Sequence, residues 1–114
     1  MANDKRKSQR FAVDLPIEYT RRDFVVKQDR VTNLSEEGLM AFFSEQMEIG
    51  QYLRTKLFIP TDSKLDFVGM VTQVVWVESE KEGDLANYRS GVKFVDISDR
   101  GLRKIIQFLN HLPQ

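Results

Sequence analysis

Hydrophobic and polar residues alternate along much of the chain, which is the pattern of strands with one buried face. The clearest example is segment 11–19, in which every second residue, beginning with Phe11, is large and apolar or aromatic. Pro16 falls on the opposite, outward side and donates no backbone hydrogen bond, so it indicates a sheet edge or an interruption there. Segment 11–19 is therefore predicted to be a first strand with Phe11 on its inner face.

Five further strands are predicted by the same criteria. The longest contains Gly69, which could supply a bend or a bulge, so we expect that strand to be long and curved. The charged segment 79–87 contains Gly83 and is predicted to be a mobile loop before the last strand. The five predicted strands cover residues 24–31, 39–43, 52–59, 65–77 and 88–95.

An amphipathic helix is predicted at the C-terminal end, over residues 98–110. Ser98 is a suitable N-cap, and the apolar residues that follow recur at helical spacing. This apolar stripe should pack against the sheet, and it consists of Leu102, Ile105, Ile106 and Leu109. Six short strands followed by one helix predict an all-β fold, a small antiparallel β-barrel, rather than a parallel α/β fold.

Length and charge restrict the possible functions. The 114 residues suit one domain, which we place at 11–114 after a basic arm at 1–10. Lysine plus arginine and aspartate plus glutamate both total 17, so no overall positive field would attract DNA, RNA or an anionic membrane. The chain has no cysteine, no apolar run of about 20 residues and no apolar secretory signal, which predicts a cytoplasmic protein without membrane insertion.

The basic arm is the first candidate binding segment. It contains Lys5, Arg6, Lys7 and Arg10 and almost no apolar residue, so we expect it to be flexible without a ligand. The spacing of Arg6 and Arg10 places both on the same side of an extended chain or a helical turn. Two guanidinium groups can then converge on phosphate oxygens or on a guanine edge. The alternative is a solvated basic tail.

Segment 33–38 is the second candidate, because it concentrates turn-forming residues between two predicted strands. The Asn33 and Ser35 side chains can bond nearby backbone groups, and Gly38 accepts a positive φ. The segment is predicted to form a rigid cup of backbone donors, with an amide and a hydroxyl pointing outward. An ordinary strand connection would have the same composition.

Together the two segments resemble the signature of the PilZ family, Arg-x-x-x-Arg followed by Asp/Asn-x-Ser-x-x-Gly. Arg6 and Arg10 match the first half, and Asn33, Ser35 and Gly38 match the second. Segment 91–94, Gly-Val-Lys-Phe, looks like the closing strand of that family. The resemblance implies a six-stranded antiparallel β-barrel with a C-terminal helix, and it implies binding of the bacterial second messenger cyclic di-GMP as one molecule or an intercalated pair.

The resemblance also implies roles for individual residues. Arg6 and Arg10 would hold phosphates and guanine edges, Asn33 and Ser35 would contact a guanine, and Gly38 would let the backbone approach closely. Lys5 occupies a position that influences ligand stoichiometry in this family. Trp76 is a secondary candidate because an indole near the barrel mouth could stack on a purine, although a core position is as good an interpretation.

Little in the sequence supports catalysis or metal binding. The single histidine, His111, is predicted to be a surface residue, and Met40, Met47 and Met70 are assigned to packing. We therefore expect a receptor that is not an enzyme, needs no cofactor and exists as a monomer or weak dimer. Ordering of the arginine arm by the ligand would switch an unidentified effector protein. The alternatives are a nucleotide-free adaptor of the same family and, less favoured by the charge, a single-stranded nucleic-acid binder.

Overall fold

The computed structural model describes residues 9–62, 64–82 and 85–113 and contains six strands and one helix. The helix, α1, covers Asp99–Asn110. The strands are β1 (Phe11–Thr20), β2 (Val26–Leu34), β3 (Gly38–Phe43), β4 (Tyr52–Pro60), β5 (Leu65–Glu82) and β6 (Leu85–Ile97). Within the described residues, no helix is long and apolar enough to cross a bilayer.

The six strands close into an antiparallel barrel in the order β1-β2-β3-β6-β5-β4, which confirms the predicted fold class. Strand β1 pairs with β2 along its length, whereas its pairing with β4 covers only Ile17 to Thr20. Pro16 lies immediately before this seam, where it interrupts no ladder on the β4 side. The expectation that Pro16 marks an edge is thus confirmed for the first half of β1.

The alternation predicted for β1 is also confirmed, because Leu15, Ile17 and Tyr19 are buried in the barrel. Leu57 on β4 and Ile105 on α1 are completely shielded from solvent, so the helix and the sheet share one core. Such burial is the main favourable term in folding. The other buried apolar residues are Val31, Leu34, Leu39, Ala41, Phe43, Met47, Leu53, Ile59, Val68, Met70, Val74, Val92 and Leu109.

The N-cap prediction for α1 is confirmed, since the Ser98 hydroxyl accepts a hydrogen bond from the Gly101 amide at 3.0 Å. Gly101 lies close to β5: a Cβ atom there would stand 2.8 Å from Cγ1 of Val68. The helix therefore approaches the sheet through a residue without a side chain, and Ile105 and Leu109 enter the core behind it.

Segment 79–87 is not the predicted loop, because β5 continues to Glu82 and β6 begins at Leu85. These ends pair with each other beyond the part of β6 that pairs with β3. The sequence of segment 79–87 is mostly charged or polar and lacks the alternation that identifies the other strands, so its strand pairing was not predicted. Gly69 is not a bulge either: it pairs in register with Lys56, and the register shifts of β5 and β6 lie further along, near Thr72 and Val75.

The connection between β1 and β2 is a turn over residues 21–25, and strand β2 begins at Val26 rather than at the predicted Phe24. The Phe24 amide donates to the Arg21 carbonyl at 3.1 Å, and Phe24 has a φ of 62°. The pairing of β2 with β1 therefore starts only after Phe24, which has the left-handed backbone conformation.

Gly38, the first residue of β3, lies very close to the backbone of β6. It pairs with Lys93, and a Cβ atom on Gly38 would lie 2.2 Å from the Val92 carbonyl oxygen and 3.1 Å from the Lys93 Cα atom. Gly38 does not use the positive φ that a glycine accepts; the described glycine with that geometry is Gly50. Gly38 is required here for space against the β6 backbone.

The close approach predicts that Gly38→Ala destabilises the protein. Backbone atoms of β6 would have to move, so we expect the free energy of unfolding to fall by about 1–3 kcal/mol. Gly69→Ala is the matched control, since nothing lies within 4 Å of a Cβ atom built there. Urea unfolding followed by circular dichroism measures both changes, and an equal loss in the two variants would contradict this account of Gly38.

Candidate functional site

The turn at residues 35–38 is organised by Ser35. Its amide donates to the Gly38 carbonyl at 2.9 Å, and its hydroxyl accepts from the amides of Glu37 at 3.1 Å and Gly38 at 3.3 Å. Ser35 is only 6% exposed. The prediction of an outward-pointing hydroxyl is therefore wrong for this structure, because the hydroxyl closes its own turn.

The same turn is fastened to the neighbouring strand. The Phe94 amide donates to the Glu37 carbonyl at 3.0 Å, next to the close contact between Gly38 and Val92. The turn is consequently held both by Ser35 and by β6. This supports the predicted rigidity of segment 33–38, although the rigidity depends on a strand far away in sequence.

An outward-facing row of residues crosses five strands beside this turn. Residues directly opposite each other in antiparallel strands point to the same face. Met40 lies between two buried neighbours, Leu39 and Ala41, so its side chain and those paired with it face outward. We call these residues the outer row: Ala12, Asn33, Met40, Gly91 and Trp76.

Trp76 lies on this outer wall and not in the barrel core. Its indole covers Gly91: the Nε1 atom is 2.2 Å and the Cε2 atom 2.6 Å from the point that a Cβ atom of residue 91 would occupy. Trp76 remains partly exposed. The structure thus decides against the core interpretation of Trp76, and its role in ligand binding stays a prediction.

Met40 also differs from its sequence-based interpretation. Met47 and Met70 are buried in the core as expected, at 2% and 7% exposure, whereas Met40 is a partly exposed member of the outer row. A short apolar run gives no indication of which residues face inward until its register with β2 and β6 is known.

A second outward row runs beside the first, from Gly38 through Lys93 and Gln73 to Tyr52. Lys93 is exposed, and its side chain makes no ion pair or hydrogen bond with any other described residue. The Gln73 amide nitrogen donates to the Gly50 carbonyl at 3.2 Å, and Tyr52 is 58% exposed. Lys93 was missed as a candidate because it occupies the variable position of segment 91–94.

Arg10 directly precedes β1, whose first residue, Phe11, pairs with Leu34. Because Ala12 pairs with Asn33, the backbone of Arg10 lies beside the turn that begins at Ser35. Arg10 is exposed and has no bonding partner among the described residues. Arg6 and Lys5 lie outside the described residues.

The arginines on the far side of the outer row already have partners. Arg30 pairs with Asp14 at 2.7 Å, and Arg89 pairs with Glu78 and lies 6.0 Å from the Phe42 ring centroid. Both cations are therefore balanced locally, unlike Arg10 and Lys93 within the described chain. Arg10 and Lys93 are therefore cations without a partner among the described residues that lie beside the turn, and the turn itself carries the exposed carboxylates of Glu36 and Glu37.

The described residues offer little support for acid–base catalysis by the histidine or for metal binding. His111 is exposed, and its Nδ1 atom lies 2.7 Å from the Gln107 carbonyl oxygen. The described residues contain no group of three or more side chains suited to holding a metal ion.

Comparison with known proteins identifies the family. The sequence model of the PilZ domain family matches residues 4–111. A comparison with curated proteins found no match. The fold is similar to the inhibitor of motility from Bacillus subtilis, MotI/DgrA, with a TM-score of 0.80 and 13% identity. That match covers 97% of this chain, which spans 55% of the relative's length.

Two further solved structures share the fold. The PilZ domain with c-di-GMP of YcgR from Escherichia coli has a TM-score of 0.70 and 14% identity, over 94% of this chain and 93% of that one. The complex of MrkH from K. pneumonia with c-di-GMP has a TM-score of 0.74 and 13% identity, over 95% of this chain and 51% of that one. With a family model that matches nearly the whole sequence and a closed barrel of the same architecture, the chain belongs to the PilZ domain family.

Proposed function

We propose that this protein is a receptor for cyclic di-GMP that binds the ligand on the outer row and the adjoining turn. The observation that carries the proposal is the strand register, which places Arg10 and Asn33 beside the rigid turn at 35–38. The similar structures of YcgR and MrkH that contain c-di-GMP support the same ligand class.

The chemistry of the face fits a ligand with two guanines and two phosphates. The guanidinium of Arg10 offers a planar fork of donors for phosphate oxygens or for the O6 and N7 atoms of guanine. Lys93 adds a second cation on the other side of Gly38. These two cations can attract phosphate although the complete chain has a formal net charge of zero, and they do so against the exposed carboxylates of Glu36 and Glu37 in the same turn.

Asn33 is suited to reading a guanine edge. An amide side chain both donates and accepts hydrogen bonds, and Asn33 is partly exposed in the outer row. Where the family's pattern allows aspartate, this chain carries an uncharged acceptor. We propose that Ser35 and Gly38 act mainly by holding the turn against β6, so that Asn33 is presented in one position.

We further propose that ligand binding closes the segment that contains Arg6 over the ligand and that an effector protein recognises the resulting surface. A disorder-to-order change of this kind converts a binding event into a new surface without rebuilding the core. On this proposal the protein is a receptor and not an enzyme, and Lys5 and Arg6 contribute only when the ligand is bound.

Replacing Arg10 tests the binding site. Loss of a charge-assisted hydrogen bond costs about 1.5–3 kcal/mol, so Arg10→Ala should weaken cyclic di-GMP binding roughly 10- to 150-fold. Titration calorimetry measures the change. Arg22→Ala is the matched control, because Arg22 is also an exposed arginine but lies beyond the other end of β1.

Equal binding by Arg10→Ala and the unchanged protein would remove Arg10 from the site. The absence of binding heat with the unchanged protein at tens of micromolar would reject the receptor and favour the nucleotide-free adaptor. A gel shift with short RNA that weakens steeply with salt would instead support the nucleic-acid binder.

Hydrogen exchange tests the proposed switch. Amides in residues 1–10 should become more protected when cyclic di-GMP is added, because the ligand would hold the arm against the barrel. Mass spectrometry of peptic fragments measures the change, and a fragment from α1 provides the internal control. An Arg6→Ala variant should lose the added protection, and protection that persists in that variant would contradict closure through Arg6.

A further inference from the structure

We infer that Gly91 is a positioning residue for ligand binding, because it leaves room for the Trp76 indole to lie against the barrel wall as a stacking platform for a guanine. The inference rests on the proposed function and deepens it. Gly91 would not touch the ligand, and its effect would be transmitted entirely through the orientation of Trp76.

The first observation is the space that the indole occupies. Three atoms of its pyrrole ring lie 2.2, 2.6 and 2.9 Å from the position of a Cβ atom on residue 91. Real Cβ contacts are never this short, so no other residue could stand there without moving the ring. The indole therefore occupies the space that a side chain at position 91 would fill.

The second observation is a β-bulge that turns Trp76 outward. Val74 pairs with Val92, but the next pair is Trp76 with Gly91, which leaves Val75 as an extra residue in β5. In a regular ladder Val75 would oppose Gly91, and Trp76 would point inward opposite Ser90, which is buried. The bulge turns the Trp76 side chain to the outer face, and Gly91 leaves the space on that face for the indole.

The third observation is the position of the platform relative to the candidate site. Met40 and Asn33 follow Gly91 in the outer row, so Trp76 and Asn33 are separated by two intervening strands. At about 4.8 Å per strand step, the two side chains originate roughly 14 Å apart along the wall. A ligand that contacts both must be larger than a single base, as a two-guanine ligand is.

A purely structural interpretation is that the indole only shields the Gly91 backbone from water. The two interpretations differ in what happens to the open face of the ring when ligand is added. Trp76 is the single tryptophan of the chain, so intrinsic fluorescence reports on this ring alone. If a guanine stacks on it, emission should be quenched in proportion to the calorimetric saturation, and a structural indole would not respond.

The decisive experiment combines fluorescence with calorimetry on four variants. Gly91→Ala keeps the indole but displaces it, and Trp76→Leu removes it, so each should weaken cyclic di-GMP binding about 5- to 150-fold, the range for one stacked base. Gly69→Ala is the control for adding a methyl group to a strand glycine. Arg10→Ala should lose affinity yet retain full quenching at saturating ligand.

The outcomes separate the two proposals. Normal affinity in folded Gly91→Ala and Trp76→Leu, or binding heat in the unchanged protein without a fluorescence change, would overturn the platform and leave the receptor intact. Failure of the unchanged protein to bind would overturn both. If Gly91→Ala does not fold by circular dichroism, Trp76→Leu and the fluorescence titration of the unchanged protein still decide the question.

Discussion

The register between neighbouring strands is the constraint on which the candidate site depends. A shift of one residue in β2 would exchange the two faces of that strand, burying Asn33 and exposing Leu34. Such a shift is disfavoured because Leu34 is completely buried in the core. The free energy that keeps polar residues together on the outer wall is therefore supplied by apolar residues on the inner one, and the site needs few interactions of its own to keep its shape.

Regular pairing alone would not produce this surface. Three irregularities, at residues 12–15 of β1, at 31–33 of β2 and at 74–76 of β5, adjoin the outer row. Each adds a residue to one strand and re-aims the side chains that follow. Gly38 and Gly91 provide room for the close contacts that result. The core thus has ordinary periodicity, whereas the exposed face is shaped by local departures from it.

The sequence allowed the barrel and the helix to be predicted because β1 and β4 each bury one face, and Ser98 and Ile105 mark the helix. The paired ends of β5 and β6 were missed because residues 79–87 are mostly charged or polar and show no alternation of hydrophobic and polar positions. The motif residues were found by resemblance, but the inward hydroxyl of Ser35 depends on hydrogen bonds within the folded turn. The outward orientation of Trp76 depends on the bulge at Val75, and no residue near Val75 is of a type that predicts a bulge.

The short β1–β4 seam divides β1 into two unequal parts. Residues Ile17 to Thr20 have a strand on both sides, whereas the half that follows Arg10 is bonded only to β2. Local opening of the first half of β1 therefore breaks fewer ladder hydrogen bonds than opening of residues Ile17 to Thr20. A ligand bound by Arg10 would hold this half of β1 against the barrel, so ligand binding would also stabilise the first half of β1 against local unfolding.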